Sequence, residues 1–246
     1  MNTIRELFFS WDSVRPYIGA IARGFWLTIR ITFTALVFAA AGGMLLAIMR
    51  QARTASRSVP RRVAYFLSRL ASVAYIDVFR GLPALLVIVL LYVSLPYTGI
   101  PVLSDMSEFS VGVLALSLVY AAYLAEIFRA GIESVERGQV EAARSLGMSS
   151  GQTLTRIVLP QAVRRVIPPL MNEFIILSKD TSLLSTIAVA EVLGTARDAQ
   201  AQTLNSTPLT AAAIFYLIFT LPLTRIVDHY IARDRRRSGG GQVIIP

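Results

Sequence analysis

The chain has 246 residues, of which 54% are hydrophobic and only 16% charged, and its mean hydropathy is +0.59. A charged fraction well below the roughly 25% of soluble domains excludes an ordinary water-soluble globule and favours one bundle of membrane helices. The net charge of +9 comes from arginines grouped between apolar runs, which reads as membrane topology and not as nucleic-acid binding, and the lack of cysteine excludes disulfides, thiolate metal sites and a cysteine nucleophile.

Residues 1–23 carry Phe8, Phe9 and Trp11 among a few charges and read as an extracytoplasmic, interfacial lead-in. Trp11, Asp12 and Arg15 break up any basic-then-apolar leader, so the first span itself is expected to be the insertion signal. That span is expected over 24–49, a length of about 39 Å, which crosses a core of roughly 30 Å with some tilt. Arg30 near its start can snorkel to the outer interface, and Gly42 with Gly43 admits close packing by another helix. Arg50, Arg53, Arg57, Arg61 and Arg62 follow in a short loop with no acid, which assigns it to the cytoplasm.

The next apolar run, 63–95, is interrupted by Asp77, Arg80, Gly81 and Pro83, so an entry helix leads into a second span expected over 73–95. Asp77 and Arg80 are spaced i, i+3, as an ion pair on one helix would be. The loop that follows, 96–108, holds prolines, Asp105 and Glu108 and no basic residue, which places it outside. The third span, expected over 109–130, ends in Glu126 and Arg129, again spaced to pair.

Residues 138–160 are too polar and too short in period to cross a bilayer and read as a helical elbow at the membrane surface. Glu141, Ala142, Ala143, Arg144, Ser145 and Leu146 favour a short helix, and Gly147 stands where a left-handed C-terminal cap belongs. Ser149 and Ser150 can cap a second short helix, which Leu159-Pro160 is expected to interrupt. A fourth span is expected over 166–193, kinked at Pro168-Pro169 and unusually polar, with Asn172, Glu173, Lys179 and Asp180 inside it. Glu191, Arg197 and Asp198 then read as a mixed exterior loop. The fifth span, expected over 209–231, leads to a basic tail, 232–246, with Arg233, Arg235, Arg236 and Arg237; the tail is placed in the cytoplasm and the N-terminus outside.

The chain has no G-x-x-x-x-G-K-[ST] loop and therefore no means of its own to hydrolyse ATP. Its one histidine, His229, sits at the inner end of the last span, with no metal-ligand partners by spacing, and no serine is paired with a recognisable base. Glu173 and Asp180 lie two helical turns apart and can share one face, which would attract a cationic or zwitterionic ligand; Lys179 lies about 100° around the helix from its neighbour Asp180. Thr181 and Ser182 continue the same polar stretch. Ionisable groups within a span are expensive unless they face a cavity or one another, so these residues mark either a transport path or an ion network between helices.

Glu141-Ala142-Ala143, Gly147 and Ile157-x-Leu159-Pro160 resemble the EAA loop of permease subunits of ATP-binding-cassette importers. Phe79-Arg80-Gly81-x-Pro83, Ala125-Glu126-x-x-Arg129-x-Gly131-Ile132, Pro160-Gln161-Ala162, and Asn172 through Lys179-Asp180-Thr181-Ser182-Leu183 extend the likeness to the polar amino-acid branch, which includes histidine, glutamine, arginine and opine permeases. Leu82 departs from the threonine or serine usual in that branch. The resemblance covers nearly the whole chain. It implies an all-α integral membrane protein, a five-span bundle of the type I importer permease kind with a short cytoplasmic coupling helix, in a bacterial cytoplasmic (inner) membrane.

It further implies a transport subunit and not an enzyme, paired with a second permease chain, identical or paralogous. Two ATPase subunits would bind ATP and Mg and receive the elbow through Glu141, Ala142, Ala143, Leu146 and Gly147. An extracytoplasmic binding protein would deliver a basic or zwitterionic amino acid to a path lined by Asn172, Glu173, Lys179, Asp180, Thr181 and Ser182, with Arg80, Gly81 and Pro83 as candidates for a gate or hinge. The alternative is an ion-coupled secondary transporter in which Glu173 and Asp180 carry protons or bind sodium; it needs no ATPase and gives the elbow no task.

Overall fold

A computed structural model describes residues 4–51 and 59–237, with side chains through residue 233. Arg53 and Arg57, the side chains of Arg235, Arg236 and Arg237, and the end of the basic tail lie outside the described residues. Every regular element among the described residues is helical. Two short lead-in helices, α1 (Ile4–Phe8) and α2 (Trp11–Val14), precede the long α3 (Ile18–Gln51). α4 (Val59–Gly81) and α5 (Ala84–Ser94) meet at a sharp bend, and the small α6 (Pro101–Ser104) precedes α7 (Glu108–Glu133). The elbow contains α8 (Arg137–Ser145) and α9 (Ser150–Thr153), and α10 (Leu159–Asp180), α11 (Val192–Thr203) and α12 (Thr207–Arg237) complete the bundle.

α7 is the central helix. Its buried residues fall on nearly every side of the segment from Val111 to Phe128, because α3, α5 and α10 surround it. α3 presents to it a stripe of small residues at helical spacing, Ala35, Ala39, Gly43 and Ala47. The backbones meet so closely that a Cβ on Gly43 would lie 2.9 Å from the Ala121 carbonyl oxygen, which is the close approach that small residues permit between membrane helices. The two helices run parallel: Arg30 lies over the Phe109 ring near the start of α7, and Arg50 pairs with Glu126 near its end.

Among the described residues, three helices, Ile18–Gln51, Glu108–Glu133 and Thr207–Arg233, are long and apolar enough to cross a membrane, and α4 with α5 makes a fourth if the pair, bent by 103°, is counted as one span. The second span is thus no straight rod over 73–95. Pro83 has no N–H to continue the helical ladder and holds extended backbone (φ −60°, ψ 133°), so the chain turns there before α5 begins. Asp77 and Arg80 form no ion pair; the Arg80 guanidinium instead lies 5.8 Å from the centre of the Tyr123 ring.

The expected fourth span, 166–193, is divided. α10 ends at Asp180, Thr181–Ile187 tightens into a 3₁₀ helix, and Ala188 adopts a left-handed φ of 61°. Hydroxyl groups account for the change of winding: Ser178 and Thr181 donate back to the carbonyls of Ile175 and Ser178, and Ser185 to that of Ser182, in competition with the α-helical ladder. α10 and the 3₁₀ segment together still run antiparallel along α7. Val166 packs on Gly131 at one end, and Leu184 on Gly112 at the other. The N-terminal lead-in is stitched to the start of α12, where Ser206 N–H donates to the Leu7 carbonyl (3.0 Å) and Ser10 N–H to the Thr207 hydroxyl (2.9 Å).

Candidate functional site

The elbow is a well-terminated surface loop. α8 ends in a pair of reverse hydrogen bonds, from Met148 N–H to the Ala143 carbonyl (3.1 Å) and from Gly147 N–H to the Arg144 carbonyl (3.0 Å), around Gly147 at φ +81°. This is the Schellman ending that a glycine after a helix predicts. Arg144 adds a side-chain bond to the Met148 carbonyl at 2.6 Å. Ser149 then starts α9 with a reciprocal capping box to Gln152. The chain does not break at Leu159-Pro160: Leu154–Val158 forms a π turn that runs directly into α10, and Pro160 occupies the first turn of that helix, where no N–H donor is needed.

Three residues of α10 fix the elbow to the bundle. Gln161 bridges the Gln139 side chain and the Ile157 carbonyl, Arg165 donates to the Ser134 carbonyl at the end of α7, and Val166 fills the space over Gly131. Ala143 is buried against its own chain, whereas Glu141, Ala142, Leu146 and Gly147 face outward, Leu146 with 83% of its surface exposed. Ala143 is therefore an anchor of the elbow, and the outward set is what a partner can touch. Next to it, Glu126 joins Arg50 and Arg129, and Arg129 also joins Glu133, so α3 and α7 are tied by charge close to where α7 feeds the elbow.

The second candidate region lies around the end of α10. Glu173 and Asp180 are half-buried on one side of the helix, while Asn172 and Lys179 are exposed. Asp180 accepts a hydrogen bond from the Tyr120 hydroxyl at 2.8 Å. Among the described residues, neither carboxylate is in an ion pair, and Lys179 forms none either. Thr181 is fully buried, and Ser182 half-buried.

Tyr120 packs on Tyr123 with ring centres 6.0 Å apart, and Tyr123 carries the Arg80 guanidinium. The structure thus brings Arg80, just before the bend at Pro83, to the same aromatic pair that holds Asp180. Gly81 and Pro83 themselves are exposed. Tyr120 and Tyr123 gave no sign of this in the sequence, where they are two aromatic residues in an apolar run. Among the described residues, no group of three His, Cys, Asp or Glu side chains is placed to hold a metal.

Residues 43–236 match the family described as the inner membrane component of binding-protein-dependent transport systems. The chain is 36% identical over 229 residues to the probable amino-acid permease protein YxeN of Bacillus subtilis (strain 168), covering 93% of this chain and 95% of that one. It is 36% identical over 193 residues to the glutamate/aspartate import permease protein GltK of Escherichia coli O157:H7, covering 76% and 81% respectively. A crystal structure of an amino acid ABC transporter with histidines superposes with a TM-score of 0.80 at 30% identity, over 95% of this chain and all of that one.

Proposed function

The chain belongs to the family of inner membrane components of binding-protein-dependent transport systems, and from that premise we propose that it imports an amino acid with an exposed ammonium group, basic or zwitterionic. As a member of that family it is an integral membrane permease subunit and not an enzyme, and the ATPase is a separate chain. The observation that carries the coupling role is the elbow: a rigidly capped, outward-facing helix that presents Glu141, Ala142 and a bare Leu146 beside the ends of α7 and α10. An exposed leucine on a fixed helix end is a fit for a groove on a partner ATPase. Two such permease chains, each docking one ATPase, move their elbows together when ATP closes the ATPases. The bundle then shifts between two states because ATP binds them with different affinity.

On the substrate side, Glu173 and Asp180 supply the negative potential that favours an ammonium, and Asn172, Lys179, Thr181 and Ser182 complete the polar lining. The bend at Gly81 to Pro83, with Arg80 over Tyr123, is the gate candidate that the same aromatic pair links to Asp180. The arginine-rich segment 50–62, the elbow and the basic tail face the cytoplasm, and the lead-in and an external binding protein lie on the opposite side. The direct test is purification of the chain in mild detergent with identification of every stoichiometric partner. An ATP-binding-cassette subunit is expected. Its absence from a complex that still transports would defeat the coupling role.

A further inference from the structure

Among the described residues, Glu191 is the one ionisable side chain with no exposed surface at all, at 0%. It caps α11, where its carboxylate accepts from the N–H groups of Leu193 (2.9 Å) and Gly194 (2.7 Å). A helix cap needs no more than a short side-chain acceptor. Glu191 reaches further: Oε2 also accepts from the Thr28 hydroxyl on α3 (3.5 Å) and the Tyr216 hydroxyl on α12 (3.4 Å). Thr28 in turn accepts from Val192 N–H (3.3 Å), and Gly24 on α3 leaves room for the Glu191 backbone, which a Cβ there would meet at 3.0 Å. One carboxylate thus joins three helices, with four donors and no cation, in a setting where an unsatisfied charge is very costly.

The connection continues towards the path. The 3₁₀ segment Thr181–Ile187 connects Asp180 to the turn that leads into Glu191; Thr181 is fully buried, and Asp180 accepts from the Tyr120 hydroxyl of α7. Glu191 therefore fixes, to α3 and α12, the far end of a short segment whose near end carries Asp180. We propose that Glu191 is a positioning residue of the transport cycle: it locks the α10–α11 turn to α3 and α12 and so sets where Asp180 stands. This role rests on the reading of Asp180 as part of the path and adds a residue outside it.

The test uses the assembled complex with its ATPase and binding protein in vesicles. Uptake of a labelled amino acid is measured as maximal rate and half-saturation, per assembled complex, with the thermal midpoint of each variant. Glu191→Gln keeps size but offers one oxygen where two accepted, and it is expected to lower the maximal rate by about tenfold, the loss of a charge-assisted bond. Half-saturation, set by the external binding protein, should stay unchanged, and Glu191→Asp should restore part of the rate. Tyr216→Phe leaves the α11 cap intact and removes only the link to α12; it is expected to lower the rate several-fold, and it decides alone if Glu191→Gln fails to assemble. A rate per complex equal to that of the unmodified chain, even with a lowered thermal midpoint, would leave Glu191 a stabilising cap and overturn the proposal. No ATP-dependent uptake by the unmodified complex would instead overturn the transport reading, and this role with it.

Discussion

Replacing Gly147 isolates the geometry of the elbow from its surface. A Cβ at this position would meet nothing within 4 Å, so alanine adds no clash within the chain, and its cost lies in forcing φ to +81° on a residue with a side chain. For alanine that is about 1–2 kcal/mol. At about 1.4 kcal/mol per factor of ten, the capped elbow becomes roughly 5–30-fold less favoured relative to an unravelled one. Valine is worse because it is β-branched, and asparagine, which tolerates the left-handed region, costs less. The assay is ATP hydrolysis stimulated by substrate-loaded binding protein, in complexes reconstituted with each variant. Stimulation should fall in the order Gly147→Asn, Gly147→Ala, Gly147→Val. Unchanged stimulation in Gly147→Val would remove the capped elbow from coupling. Equal damage from asparagine and valine would show that the partner excludes any side chain there, and the backbone argument would fail.

Gly131→Ala should destabilise the bundle, because its Cβ would sit 2.1 Å from a Val166 methyl group, at an overpacking cost of about 1–3 kcal/mol. The double variant Gly131→Ala with Val166→Ala removes that methyl and should recover most of the thermal midpoint; no recovery would mean the helix backbones, not this contact, set the α7–α10 spacing. Glu173→Gln and Asp180→Asn remove charge with little change of shape, and each should reduce uptake of a cationic amino acid more than that of a neutral one in reconstituted vesicles. Unchanged selectivity with a lower thermal midpoint would leave both carboxylates a structural role, Asp180 through its bond from Tyr120. For topology, a single cysteine introduced at Ser145 into this cysteine-free chain should resist an impermeant thiol reagent applied outside intact cells, whereas one at Thr98 should react. Labelling at position 145 from outside would invert the arrangement.

The elbow was legible because its signals are local. A glycine that ends a helix and a serine that starts the next are recognised by spacing alone, and Gly147 and Ser149 occupy those places. Gly43 was readable for a similar reason, since small residues in an apolar run have few roles other than close packing. The division of the 166–193 run was not legible. Hydropathy sums over residues, whereas the change from α to 3₁₀ winding depends on hydroxyls of Ser178, Thr181 and Ser185 turning back on the chain. Glu191 reads with Arg197 and Asp198 as part of a loop, whereas it is buried; its burial depends on Thr28 and Tyr216, which are far away in sequence. The signal available was an acid placed just before Val192 to Gly194, where a helix starts. Likewise Asp77 and Arg80 have the spacing of a pair, yet the bend at Pro83 and the nearby Tyr123 ring give the guanidinium another partner.

The most direct test of the account is uptake by the purified complex in sealed vesicles, with ATP supplied on the elbow side and the binding protein on the other. Proton and sodium gradients are collapsed by ionophores. Amino-acid uptake should need both ATP and the binding protein and be indifferent to the ionophores. Uptake driven by an ion gradient without ATP would contradict it and would assign Glu173 and Asp180 to ion coupling instead.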